Sequence, residues 1–339
     1  MALEAQENNK AMNLIIPMAG RGTRLRPQTL TTMKPLIEIA GKTIVQRILD
    51  VVIKQSKKQI KNIGFIIEKP NEAIEKDLFE LAKKNNIKPH VFFQHKAKGT
   101  AHAIYCAKSI LKGPVLIVFA DTLFETDLVF PENTDGCIFV QEVDDPSSYG
   151  VVKVGKQGYI TDFIEKPKNR ISNLAIVGIY YFKDGSVLAQ EIKRVIDNNI
   201  ILKGEYQITT VLENLKNKKA LFTPHKIKKW HDFGTPKNLL NSHAEILKQD
   251  SHKIHQIANT TIIPPCYIAK DVIITDSKIG PFVSIGSGTK IQRSTISNTI
   301  IQKNTIINEA SLDSSIIGNN VEYNGGFQEV NIGDYSTFR

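Results

Sequence analysis

The stretch NLIIPMAGRGTRLRPQTLTTMKPLIE, residues 13–38, decides how the rest of the chain is read. It opens on the apolar run Leu14 to Ile16, read as a buried first strand, and breaks at Gly20 into a loop carrying Arg21, Arg24, Arg26 and Lys34. Glycine at 20 and 22 lets backbone N–H groups approach an anion with no Cβ in the way. With the cations supplying matching charge, the loop has the chemistry of a polyphosphate cradle. Spacing excludes two other phosphate loops. A dinucleotide fingerprint needs a third glycine where Leu25 stands, and an acidic residue about twenty positions on. A nucleotide-hydrolase loop needs a glycine where Leu36 stands, ahead of Gly41-Lys42-Thr43, so that triplet reads as a helix start.

Outward from the loop, Ile44, Val45, Ile48, Leu49, Val52 and Ile53 recur at helical spacing, and 62–67 reads as a short buried strand. The unit repeats: a charged amphipathic helix over 71–86, a strand over 90–94, a helix over 100–111, and an apolar strand over 115–119 ending at Ala120-Asp121. This alternation predicts an α/β fold, a Rossmann-like mixed and mainly parallel sheet with helices on both faces, binding ligands beyond the carboxyl ends of its strands. Segments 136–143, 149–154, 159–166 and 174–182 read as strands joined by turns, a subregion inserted in the same sheet, before helical periodicity returns over 187–216. Residues 236–248, PKNLLNSHAEILK, read as a helix with Pro236 in its first turn.

From about residue 256 charges thin out and isoleucine heads six-residue units at Ile268, Ile279, Ile285, Ile301, Ile307 and Ile317, with a longer period of 16 or 17 residues. A fixed period of this kind means a solenoid, here a parallel β-helix of three or four coils with its isoleucines stacked inward. Two domains follow, 12–250 and 256–334, and 339 residues are ample for two cores.

Net charge is +10, but the lysines are spread along the chain rather than gathered with aromatics. They read as solvated surface suited to a small anionic substrate, with no nucleic-acid partner. No apolar run approaches the roughly eighteen residues of a membrane span, and residues 1–12 have no apolar signal core, so a cytoplasmic location without a membrane partner is expected. Cys106, Cys137 and Cys266 are widely separated and odd in number, which predicts reduced thiols.

The sequence Gly20-x-Gly22-Thr23-Arg24-Leu25-x-Pro27, followed by Lys34-Pro35-Leu36, resembles the signature of the sugar-phosphate nucleotidylyltransferases, the nucleoside-diphosphate-sugar pyrophosphorylases. It is similar in particular to the glucose-1-phosphate thymidylyltransferase-like members with a C-terminal left-handed hexapeptide-repeat β-helix. The resemblance covers about 13–250 and 256–322. It implies metal-dependent transfer of a nucleotidyl group from a nucleoside triphosphate, dTTP foremost, to a sugar 1-phosphate, glucose 1-phosphate foremost, with release of pyrophosphate. Two polyanions must meet in such a reaction, so metal and cations have to sit where negative charge accumulates.

By the same resemblance Arg24 contacts the triphosphate and leaving pyrophosphate and Lys34 the reacting phosphates, with Gly20, Gly22 and Thr23 completing the cradle. Gln94, Gly99 and Thr100 would recognise the base, a carboxamide suiting the imide edge of uracil or thymine. Gly150, Glu165, Lys166 and Val177 would bind the sugar, Glu165 at its hydroxyls and Lys166 at its phosphate. Asp121 and Asp232 would hold Mg²⁺, which takes one or two carboxylates beside phosphate oxygens and water. Asp232 also reads as an N-cap for the helix near 236, and His102 as a helix residue near the site.

Ile176-Val177-Gly178 stands where relatives acting on N-acetylated sugars often have Asn-Thr-Gly, which speaks against N-acetylglucosamine. Three other readings are weighed. UTP with a hexose or aminosugar 1-phosphate stays within the chemistry. A non-catalytic regulatory or scaffolding relative is opposed by the retention of Arg24, Lys34, Asp121, Lys166 and Asp232. Acyl transfer by the repeats is opposed by the absence of histidine beyond His255. The repeats are therefore expected to assemble a homo-oligomer and to stand apart from the reaction.

Overall fold

The fold is that of a computed structural model, in which residues 11–250, 257–325 and 327–338 are described. The chain divides into two compact units. One joins the chain up to Gly20 with Ile48–Trp230, and the other joins Arg21–Arg47 with the chain from His231 on.

The first unit is built on a nine-stranded sheet: β1 (Ala11–Pro17), β2 (Gln59–Ile67), β3 (Lys88–Phe93), β4 (Val115–Val118), β5 (Gly136–Glu142), β6 (Gly150–Val154), β7 (Ile160–Glu165), β8 (Leu174–Phe182) and β9 (Phe222–Lys226). Its order is β7-β6-β8-β4-β1-β2-β3, with β5 pairing both β8 and β9. The pairs β1–β2, β2–β3 and β1–β4 are parallel, while β8 runs antiparallel to β4, β5 and β6. The inserted segments thus join the same sheet, as the sequence predicts. The parallel strands are short and apolar because both their faces are covered: all four residues of β4 are fully buried, Val115 and Ile117 in one core with Ile15, Ile104, Leu188 and Val211.

Helix α1 (Ile44–Gln55) leads into this unit, which also carries α2 (Glu72–Lys84), α3 (Thr100–Cys106), α4 (Gly185–Asp197) and α5 (Ile208–Asn217). Asn71 caps α2, its Oδ1 accepting from Ile74 N while Glu75 accepts from Asn71 N. The helix expected over 100–111 stops at Cys106 and passes into a 3₁₀ turn, Lys108–Ile110. The periodicity over 187–216 resolves into α4 and α5, separated by a bend in which Asn199 and Lys203 take positive φ. In β8 the register shifts between Ile176 and Tyr180, and Gly178 has φ 83, a bulge that turns the carbonyls of Val177 and Gly178 out of the ladder.

In the second unit, Arg21–Arg47 forms two 3₁₀ turns, Thr23–Leu25 and Lys34–Leu36, and a hairpin of Glu38–Ile39 with Lys42–Thr43. Gly41-Lys42-Thr43 is therefore part of a hairpin as well as a helix start: Gly41 turns at φ 78, and Thr43 Oγ1 accepts from Gln46 N in α1. Helix α6 (Pro236–Gln249) follows Thr235, whose hydroxyl accepts from Asn238 N.

Residues 251–256, where the sequence puts the domain junction, lie outside the described residues. Beyond them run three parallel ladders. The first stacks Thr261–Ile262, Lys278–Ile279, Thr295–Ile296, Ser311–Leu312 and Phe327–Gln328. The second stacks Cys266–Ile268, Val283–Ile285, Thr299–Ile301, Ile316–Ile317 and Asn331–Ile332; the third stacks Ile273–Thr275, Lys290–Gln292, Ile306–Asn308, Glu322–Asn324 and Thr337–Phe338. Three ladders wound in succession are a parallel β-helix, and Ile285, Ile301, Ile317 and Ile332 stack in register inside it. Each ladder has five strands rather than three or four; the last coil keeps the register with Ile332 as its one isoleucine, so the repeat fades from the sequence there. Buried hydroxyls are satisfied between coils, Thr289 Oγ1 donating to Gln302 O and Thr305 Oγ1 to Gly318 O. All three cysteines are free thiols, and among the described residues no helix is long and apolar enough to cross a membrane.

Candidate active site

In the first unit, Gln94 follows β3 with its side chain buried, and its Nε2 donates to Gly99 O at 3.1 Å and reaches His102 Nδ1 at 3.0 Å. Gly99 has φ 108, and a Cβ there would lie 2.6 Å from Tyr206 O, so only glycine fits. The loop is fastened to the start of α5: Ala101 N donates to Tyr206 O, Tyr206 N to Lys98 O, and Ile208 N to Thr100 Oγ1. The three residues assigned to the base thus form one constrained loop. Burial, then Lys98, lowers the pKa of His102, leaving a neutral ring whose Nδ1 accepts from Gln94.

Three of the residues assigned to the sugar, Gly150, Glu165 and Lys166, also come together. Glu165 and Gly150 are register partners across β7 and β6. Glu165 Oε2 accepts from Thr209 Oγ1 at 2.9 Å, and its Oε1 lies 3.9 Å from Lys166 Nζ. A Cβ on Gly150 would sit 3.0 Å from Thr209 Cγ2 and 3.3 Å from Glu165 Oε2, so the glycine makes room for that pair. Lys166 turns outward at φ 44, with its N–H on Tyr149 O, while Lys203 Nζ binds the carbonyls of Glu165 and Lys166. Val177 has a buried side chain, and its carbonyl accepts from Thr122 Oγ1.

Asp121 sits in the turn after β4, between Phe119, whose N–H binds Gly178 O, and Thr122. The Val177–Gly178 bulge therefore fixes the turn that carries this carboxylate. Tyr180 packs edge-on to Phe119, and its phenol pKa is pushed up by burial first and then by Glu165 and Asp121.

In the second unit, Gly22 takes φ 57 and starts the turn Thr23–Leu25, which buried Leu25 pins so that Arg24 stays exposed. Thr29 Oγ1 donates back to Gly22 O, and a Cβ on Gly22 would meet Thr29 Cγ2 at 3.0 Å and Lys34 Cβ at 3.4 Å. Lys34 is only 8% exposed, a rare burial for a lysine. Asp232 is not the cap of α6, which is Thr235. Instead Asp232 Oδ1 accepts from Gly234 N at 2.7 Å and Oδ2 from Asn238 Nδ2 at 2.7 Å. A Cβ on Gly234 would lie 2.8 Å from Asp232 Oδ1 and 3.3 Å from Arg24 Nη2, so the cation and the carboxylate flank one glycine. Gly20 ends the first unit's opening segment with open space where a side chain would go.

These donors suit Mg²⁺ chemically. Each Asp232 oxygen accepts one hydrogen bond and keeps lone pairs for a hard cation, and Asp121, in the first unit, is a carboxylate of the same chemistry. Among the described residues no three His, Cys, Asp or Glu side chains are grouped to hold a metal. Thr209, Lys203 and His102 are the site residues that sequence reasoning missed or left without a role. Threonine two residues into α5 reads as ordinary helix-start chemistry, and only the fold shows Glu165 beside it.

The family model described as Nucleotidyl transferase matches residues 13–249, and the chain belongs to that family of nucleotidyltransferases. It is 33% identical over 239 residues to the bifunctional protein GlmU of Methanococcus aeolicus, a match covering 70% of this chain and 55% of that relative's length. It is 26% identical over 359 residues to the glucose-1-phosphate thymidylyltransferase of Streptomyces antibioticus, covering 96% of this chain and 98% of the other. Among solved structures, the nucleoside-diphosphate-sugar pyrophosphorylase from Vibrio cholerae aligns with a TM-score of 0.58 at 18% identity, over 68% of this chain and 99% of that one, a likeness of fold.

Proposed function

We propose that this chain, a sugar 1-phosphate nucleotidyltransferase, uses dTTP and glucose 1-phosphate, working as a cytoplasmic homo-oligomer with its catalytic region in 12–250 and its repeats in 256–334. An oxygen of the sugar phosphate attacks the α-phosphorus of the triphosphate; the new P–O bond forms as the bond to the bridging oxygen breaks, and pyrophosphate leaves. Arg24 steadies the triphosphate and the departing pyrophosphate, and Lys34 the reacting phosphates. Gly20, Gly22 and Thr23 present backbone to the same anion. Lys166 holds the sugar phosphate, Glu165 the sugar hydroxyls, and Gly150 and Val177 shape that pocket. Asp121 and Asp232 would hold Mg²⁺, which would neutralise charge on the phosphates.

The observation that carries the choice of nucleotide is Gln94. Gly99 O can only accept, so the amide nitrogen must face it and the carboxamide oxygen faces away, able to accept from the ring N–H of a pyrimidine imide. Thymine and uracil share that edge, so UTP with a hexose or aminosugar 1-phosphate is the second reading; one methyl discriminates by only about 1–3 kcal/mol. The near full-length match to a thymidylyltransferase supports the first. Pyrophosphate release measured for dTTP, UTP, CTP, ATP and GTP against several sugar 1-phosphates tests both. Highest kcat/KM for dTTP with glucose 1-phosphate is expected, and a preference for a purine nucleotide would overturn the reading of Gln94.

A further inference from the structure

We propose that Gln28 is a positioning residue through which the last two coils of the β-helix set the geometry of the phosphate-facing segment Arg24–Lys34, so that the repeats take part in turnover. Gln28 is 3% exposed, and its Nε2 lies 2.7 Å from Ile332 O, 2.9 Å from Asn331 Oδ1 and 3.1 Å from Ile316 O. Two amide hydrogens thus face three acceptors, all on the fourth and fifth coils. A buried carboxamide so surrounded is committed to that place, because any other position would leave it without partners at a cost comparable to a lost hydrogen bond. The backbone comes equally close: a Cβ on Gly333 would lie 3.1 Å from Pro27 Cβ. Thr31 and Thr32 both donate to Asp334 Oδ2, while Asp334 Oδ1 accepts from Asn319 N, tying the same segment to the coil above.

The segment is held again beyond Lys34. Glu38 N donates to Gln302 Oε1 and Gln302 Nε2 donates to Glu38 O, so one glutamine pairs with the hairpin backbone as a strand would. Lys303 Nζ meets Glu38 Oε1 at 2.6 Å, and Gly41 lies against the Tyr267 ring, where a Cβ would fall 2.2 Å from Cζ. Arg24 and Lys34 thus lie on a stretch fastened to the β-helix at 27–32 and again at 38–41. Misplacing a charge-stabilising group by about 1 Å can cost on the order of a hundredfold in rate. The β-helix is therefore the template for the cradle, in contrast to the expectation from sequence that the repeats stand apart from the reaction.

The consequence for turnover rests on the proposed role of Arg24 and Lys34, so the test has one readout that depends on it and one that does not. In the full chain, Gln28→Leu removes the donors at similar volume, Gln28→Glu sets a carboxylate against the same acceptors, and Asn331→Ala and Asp334→Ala act from the β-helix side. Amide hydrogen exchange over residues 22–36 is measured with steady-state kinetics and melting temperature. Gln28→Leu and Gln28→Glu are expected to exchange at least tenfold faster in that segment and to lose at least tenfold in kcat. KM for the sugar phosphate should stay within twofold, and the melting temperature within a few degrees. Asp334→Ala and Asn331→Ala should shift both readouts the same way, less strongly. Unchanged exchange in Gln28→Leu overturns the inference, as does a kcat that falls only with the folded fraction. An inactive wild type would instead sink the functional reading, and exchange alone would then decide whether the anchor exists.

Discussion

His102 is held neutral by the carboxamide it orients. Its Nδ1 accepts from Gln94 Nε2, so protonation would set two donors against each other. Burial, with Lys98 second, keeps its pKa below the ordinary 6.5. A folded-state pKa below the unfolded one means that the stabilisation is intact above the unfolded value and is lost as pH falls from 6.5 toward the folded value. We therefore predict that KM for the nucleotide rises as pH falls below the ordinary histidine range, and that His102→Phe shows a KM raised about fivefold at neutral pH with no further acid limb. A pH profile of KM for both enzymes checks it. Asp232 gives a second prediction at this scale. Both its oxygens are placed by hydrogen bonds from Gly234 and Asn238, and a carboxamide, with one oxygen and no charge, could match them only in part. Asp232→Asn should therefore lower kcat at least a hundredfold while circular dichroism stays unchanged. Excess chelator should abolish wild-type turnover, and Asp121→Asn should behave as Asp232→Asn does.

At the scale of elements, the segment Tyr206–Thr209 serves two purposes. Tyr206 fastens the loop of Gln94 and Gly99, and Thr209 holds Glu165, so one helix start positions groups assigned to the base and to the sugar. Gly99→Ala would force a Cβ onto Tyr206 O at a φ that side chains rarely adopt, and should cost about 2 kcal/mol or more. The denaturation midpoint should drop, and KM should rise for both substrates because the shared segment moves. This sharing explains what could be read in advance. The glycines, cations and apolar periods each lie within one continuous stretch, so spacing alone reveals the strand, the cradle and the solenoid. The partnership of Glu165 with Thr209, or of Asp121 with the bulge at Gly178, joins stretches with no common period. The early end of α3 and the split of α4 from α5 were hidden for a related reason: a 3₁₀ turn and a bend keep apolar residues near helical spacing without continuing the helix.

At the scale of the whole molecule, the β-helix was legible in its isoleucines, whereas the grouping of distant stretches was not. Residues 21–47 pack with the chain from His231 on, and polar partners such as Gln28 and Asn331, 303 residues apart, leave no repeating pattern to read. The third ladder bears on assembly. Ile273, Lys290 and Ile306 stack in register, and Ile273 is 55% and Ile306 38% exposed, two apolar side chains on either side of a lysine that a sister chain would cover in the proposed homo-oligomer. Ile306→Lys should lower the mass seen by light scattering, and an unchanged mass would place the interface elsewhere.

The bond between Gln28 and Asn331 also has a meaning in time. A ribosome adding about 5–20 residues per second needs roughly 15–60 s to travel from one partner to the other. Through that interval Leu25, Ile37 and Ile39, all buried in the finished molecule, wait without the coils that complete their unit. The first unit can close its sheet long before then. The segment proposed to cradle phosphate is thus among the first parts of this chain to be synthesised and among the last to be finished.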